Sequence, residues 1–218
     1  ADYIIFNQVT FANSGPSFGT SIVLQGNAHD NKFTNCAFNG SGTASSSNDR
    51  CIFYAWGQLF DNLLVQNCRF LQGSRHMTIG GIDATNDIFV DGIQILNNEY
   101  IGTYRNINIG YAKNFTLHGN TMTSFTDAAM GIYRCETPYT ISSNAAYSNL
   151  TYAEVIYLEE CVGPAGATIK NNFFTIENGA HFMGPSIAGA PNNYSDLLED
   201  WQADLIHQSG LKVHAYSF

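Results

Sequence analysis

Hydrophobic residues alternate with polar ones in runs of only three to five, each closed by asparagine or glycine. Period-two runs of this kind predict short β-strands joined by tight corners. Two strand classes alternate along the chain. The first comprises Phe33–Phe38, Val65–Phe70, Ile95–Tyr100, Leu117–Met122, Ile141–Ala146 and Ile169–Phe174, which align without gaps behind an opening copy, Phe6–Phe11. One column of that alignment reads Val9, Cys36, Cys68, Asn98, Asn120, Asn144 and Asn172, at spacings of 27, 32, 30, 22, 24 and 28 residues. The second class reads Ile22–Leu24, Ile52–Tyr54, Met77–Ile79, Ile107–Ile109, Met130–Ile132 and Ile156–Leu158. Nothing before residue 195 shows a helical apolar period of useful length.

Strands that recur without crossover helices cannot form a βαβ sheet, and a hairpin sandwich would not keep one polar column in register seven times. Coiling does so: each repeat becomes one rung, and equivalent residues stack at roughly the 4.8 Å strand spacing. Phe38, Phe70, Tyr100 and Phe174 then fill the interior. An asparagine at a corner tolerates a left-handed backbone, and its amide can bond the neighbouring rung. On these repeats the chain resembles the right-handed parallel β-helix, the fold of pectate lyases, polygalacturonases and many phage tailspikes, over about residues 4 to 184. The expected fold is therefore all-β, a right-handed parallel β-helix of about seven rungs over residues 1–184. Residues 185–218 leave the pattern and read as a C-terminal cap. There Ser195 opens a short amphipathic helix with Leu197, Leu198, Trp201 and Leu205 on one face, covering the end of the core.

Composition supports the coil and narrows the partners. Only 12% of the 218 residues are charged, about half the usual share, and stacked like charges would repel along a solenoid. Asparagine, at 23 residues, outnumbers the 18 acids. A net charge of −9 with nine scattered bases argues against nucleic acid, which needs clustered Lys and Arg. No apolar run is long enough for membrane insertion. Five cysteines without a C-x-x-C pair exclude a zinc ribbon. Cys36 stacks on Cys68 and Cys135 on Cys161 in adjacent rungs, which leaves both disulfides and buried thiols open.

Register also points to a face. Ile22, Tyr54, Ile79, Ile109, Ile132 and Leu158 mark inward positions of the second class or their neighbours. Alternation then turns His76, Thr78, Asn106, Asn108, Tyr133, Tyr157 and Glu159 outward, with Trp56, Gly81, Tyr111, Arg134 and Glu160 at the turn. Asp83, Lys113 and Glu136 follow two residues on. Aromatic, basic and acidic groups on one face suit sugar binding, because aromatic rings stack on pyranose faces. Trp56, His76, Asn108, Tyr111 and Lys113 are the expected substrate contacts. A lyase would use Tyr133 or Tyr157 as base and acid, with Arg134, His76 or Asn108 neutralising a uronate carboxylate. A hydrolase would use Glu159 or Glu160 with Glu136 one rung earlier. The structural alternative for Arg134, Glu160, Lys113 and Glu136 is a rung-to-rung salt-bridge ladder.

No cofactor is expected. Asp83, Asp87 and Asp91 form one oxygen-rich stretch where calcium remains an option, without EF-hand spacing. The stretch from Asn39 to Arg50 reads as an inserted loop able to wall a groove. The N-x-D, D-D, G-H-G and R-x-K motifs of polygalacturonase relatives do not occur. The expected function is an extracellular protein that recognises a polysaccharide and, as lyase or glycoside hydrolase, cleaves it. The rival is a non-catalytic, homotrimeric piece of a phage tailspike or surface adhesin, hence virion-associated.

Overall fold

In a computed structural model the chain winds into a parallel β-solenoid of about six turns. The structure describes residues 2–176, apart from 16–17, 43, 83–87, 137, 149–153, 160 and 162–166. One sheet takes a strand from each of seven rungs: Ile5–Asn7, Lys32–Thr34, Leu64–Gln66, Gln94–Leu96, Phe115–His118, Tyr139–Ser142 and Ala167–Lys170. A second sheet stacks Thr10–Ala12, Ala37–Asn39, Arg69–Leu71, Glu99–Gly110, Thr121–Tyr133, Ala145–Ser148 and Phe173–Ile176. Onto its two long strands pair Arg75–Gly80 and Glu154–Glu159, and onto Arg75–Gly80 in turn Cys51–Trp56 and Ile22–Val23. A short third ladder joins Val90–Asp91 to Ala112–Lys113. Among the described residues every strand-to-strand ladder is parallel. The seven expected rungs are the seven strands of the first sheet, and among the described residues no helix occurs. None is long and apolar enough to cross a membrane. The cap helix and the boundary at residue 184 lie outside the described residues.

The gapless alignment of the first strand class is reproduced residue by residue. Phe11, Phe38, Phe70, Tyr100, Met122, Ala146 and Phe174 share one column. Its rings stack at 4.9, 4.6 and 4.8 Å from Phe11 to Tyr100, the strand spacing itself. The polar column is more specialised than the pattern implied. Asn98, Asn120, Asn144 and Asn172 are buried. The Nδ2 group of each of the first three donates to Oδ1 of the next, at 3.1, 2.9 and 3.0 Å. The same Nδ2 groups also donate to Val65, Ile95 and Leu117 carbonyls, and Asn172 Nδ2 to Ile141. Left-handed backbone belongs to the residue before: Gln8, Asn35, Asn67, Asn97, Gly119, Ser143 and Asn171 all have φ between 54° and 67°. Two adjacent columns thus divide the two roles expected of one, because a buried amide aimed along the stack cannot also occupy the solvent side of the corner.

All five cysteines are free thiols. Burial pushes Cys68 up to about 12 and Cys51 up to about 11, so both behave as small apolar groups. Cys68 Sγ accepts from the Cys36 amide at 3.4 Å, which continues the ladder with sulfur where asparagine stops.

Candidate functional site

The second strand class needs one correction of register. Phe53, not Ile52, pairs with Met77, and Trp56 pairs with Gly80 rather than Gly81. Ile22 likewise pairs with Phe53. In Cys51–Trp56 the run is nearly all apolar, so alternation could not reveal the slip. Tyr54 therefore faces outward, in the column Tyr54, Thr78, Asn108, Gly131 and Tyr157.

A second correction concerns His76 and Asn106, expected on the outer face. Both are fully buried, as are their successors Met77 and Ile107. Alternation breaks beside a register shift between Thr103 and Arg105, and two consecutive residues turn inward. The His76 ring lies 6.0 Å from Phe70 and 5.7 Å from Tyr100. Its Nδ1 sits 3.0 Å from Asn106 Oδ1. Burial drives the imidazole down to about 3, so it is neutral and belongs to the core rather than to a substrate.

Beyond the break the expected outward residues do converge. Tyr133 and Tyr157 stand on adjacent rungs with ring centroids 5.3 Å apart, and Trp56 meets Tyr133 and Tyr111 edge-on at 6.5 and 6.1 Å. The indole lies across two rungs that carry glycine at the paired position. A Cβ on Gly110 would collide with it, so glycine here makes the close approach possible. Tyr157 donates its hydroxyl to Glu159 Oε2 at 2.8 Å.

The group at the centre of this panel is Arg105, which the strand pattern passed over. Its guanidinium lies 5.5 Å from the Tyr133 ring centroid and 5.6 Å from that of Tyr157, within cation–π range. Nε donates to Asp127 Oδ2 at 2.6 Å, Nη2 donates to the same oxygen, and Nη1 donates to Asn108 Oδ1 at 3.1 Å. The side chain is 11% exposed. Gly131 gives it room: a Cβ there would stand 2.9 Å from both Arg105 Nη1 and Asn108 Oδ1. Asn108 is thereby covered, and orients the arginine from beneath.

Glu154 completes the patch. It shares a column with Ala128 and Arg105. Burial raises its carboxyl to about 7, Asp127 adds to the rise, and Arg105 opposes it. Two carboxyls thus lie near one arginine, and one of them, Glu154, is raised into the range a general acid needs.

The remaining candidates among the described residues engage groups other than Arg105, Asp127 and Glu154. Arg134, in left-handed backbone with φ 43°, donates from Nη1 to Tyr111 Oη at 3.0 Å and covers that ring at 5.8 Å. Tyr111 is buried. Lys113 reaches Asp91 at 3.8 Å on the surface, and Glu136 follows the turn, its amide bonded to Ala112. Lys113 thus pairs with Asp91 rather than with Glu136. Glu160, Asp83 and Asp87 lie outside the described residues, while Asp91 also accepts from Asn114 at 2.8 Å. Among the described residues no three metal-ligating side chains cluster. The inserted loop lines a cleft of about 520 Å³ with Asn48 and Asp49, opposite Phe18 and Tyr54.

Arg105 and Glu154 each stand two residues before a core position, Ile107 and Ile156. Extending the strand alignment two residues upstream would have found both. Asp127 sits off the column, beside the register break, where no sequence signal marks it. The fold and face define a parallel β-solenoid bearing an arginine-centred aromatic patch. No protein-family model matches the chain, and no curated protein matches it.

Proposed function

We propose that this face binds a polysaccharide chain and cleaves it hydrolytically, with Glu154 as the general acid. The observation that carries the reading is a partly buried carboxyl raised to about 7 on a sheet face walled by Trp56, Tyr133 and Tyr157. The rings offer flat apolar surface to pyranose faces. Glu154, about half protonated near neutrality, gives its proton to the leaving glycosidic oxygen. Asp127, fixed by Arg105, is the second carboxyl of the pair and takes the proton of the water that attacks the anomeric carbon. The Tyr157–Glu159 hydrogen bond orients acceptors for sugar hydroxyls.

The test is incubation with a panel of neutral and uronic polysaccharides. Reducing ends should accumulate with wild type and vanish in Glu154→Gln, while glycan binding persists. Absorbance near 235 nm in place of new reducing ends through water addition would mark a lyase instead. Binding without either product would give the face to the non-catalytic class, a recognition piece of a tailspike or adhesin. Absence of binding across the panel would overturn the glycan reading altogether.

A further inference from the structure

Arg75 stands one rung from Arg105, its Cα paired directly with that of Arg105. Two guanidiniums therefore emerge side by side on one sheet face of a chain whose net charge is −9. Asp127 is committed to Arg105 through two donors. Among the described residues no carboxylate is in ion-pair contact with Arg75. Its guanidinium lies 5.7 Å over the Tyr104 ring, and its Nε is buried without a hydrogen-bond partner. A cation taken from water is costly unless charge-assisted bonds replace its hydration. Burial and the neighbouring Arg105 both depress the Arg75 guanidinium below its usual range, which marks it as under-neutralised. A structural role alone would be served by an acid of the protein, as it is for Arg105.

We propose that Arg75, backed by Arg105, forms an anion seat that takes the carboxylate or sulfate group of an acidic sugar. The inference rests on the glycan reading above and names its substrate class. The anionic oxygen accepts from the Arg75 guanidinium, and the glycan runs on along the stack past Tyr133 and Tyr157 to Glu154, three rungs further. The net charge of −9 repels an acidic glycan at long range, so selection depends on this short-range contact.

Matched ligands decide it by calorimetry: oligogalacturonate against its methyl ester, and a sulfated galacto-oligosaccharide against its desulfated form. The expected result is at least tenfold tighter binding of one acidic form than of its neutral partner. The pair that shows the preference identifies carboxylate or sulfate as the source. Arg75→Ala should bring the two members of that pair to the same affinity, with Arg75→Gln replacing it should the alanine variant fail to fold. Equal affinities within both pairs, or equal weakening of acidic and neutral forms by the substitution, overturn the seat. Free galacturonate and free sulfate provide an independent readout in thermal melts at constant ionic strength. One of them should raise the Tm of wild type above chloride and leave Arg75→Ala unmoved. No rise with either overturns the anion seat even where oligosaccharides bind, whereas a rise without oligosaccharide binding overturns only the glycan reading.

Discussion

Two stacked polar columns run through this solenoid, and they follow opposite rules. In the interior, Asn98, Asn120, Asn144 and Asn172 repeat one residue, and each amide is answered by the next rung. On the outer face, Cys51, Arg75, Arg105, Ala128 and Glu154 occupy one column without repeating. Repetition lets hydrogen bonds close among neighbours, and closed networks stabilise. Change of residue leaves groups that neighbours do not satisfy, such as Arg75 Nε, and raises a carboxyl to about 7. In a solenoid the place where a column stops repeating is the place to look for chemistry.

The largest test of that contrast is Asn120→Leu. It orphans the Ile95 carbonyl and the Asn98 amide, both bonded to Asn120. The expected cost is about 4 kcal/mol, a fall in Tm of about 10 °C by calorimetry. Arg105→Ala on the outer column should lower Tm by much less, and equal losses would erase the distinction between the columns.

Acid probes the interior next. His76 is neutral in the fold with a value of about 3, whereas the unfolded chain takes a proton below about 6.5. The unfolded state therefore binds more protons between these values, and stability falls as pH drops through that window. The loss should reach about 3 kcal/mol at pH 4, read as denaturant midpoints. His76→Phe should flatten this limb, and an unchanged pH profile in that variant would place the acid sensitivity elsewhere.

Gly110→Ala displaces the Trp56 indole from its rungs. Glycan affinity should fall roughly tenfold, about 1.4 kcal/mol, with a change in Tm under about 3 °C. A loss of stability larger than the loss of binding would make the indole a packing element of the interior kind.

Glu154→Gln gives the smallest effect on stability and the clearest sign. The folded carboxyl is raised, so its stabilising protonation is complete below about 4.5 and is lost as pH rises through about 7. The variant should melt above wild type at pH 9 and level with it at pH 4. A gain at both values would mean simple repacking.

Much of this molecule is written in short-range pattern. Phe38, Phe70 and Tyr100 announce the core column, and Asn98, Asn120, Asn144 and Asn172, each two residues before a member of that column, announce the ladder. The site was half legible: Tyr133, Tyr157 and Glu159 alternate cleanly with core residues, so their face could be read. Arg105 and Glu154 needed the alignment carried two residues further. His76 was misplaced because alternation assumes a straight strand, and a strand that bends turns consecutive residues to the same side.

The sequence by itself determined the coil, because a stack requires equivalent residues at equivalent positions and leaves that requirement visible as a repeat. Only the tertiary structure decided which polar groups are partners. The Arg105–Asp127 bond spans 22 residues and a register shift, and the proximity of Asp127 to Glu154 depends on where that shift falls. Electrostatic energies depend on distance and burial, and neither is periodic along the chain.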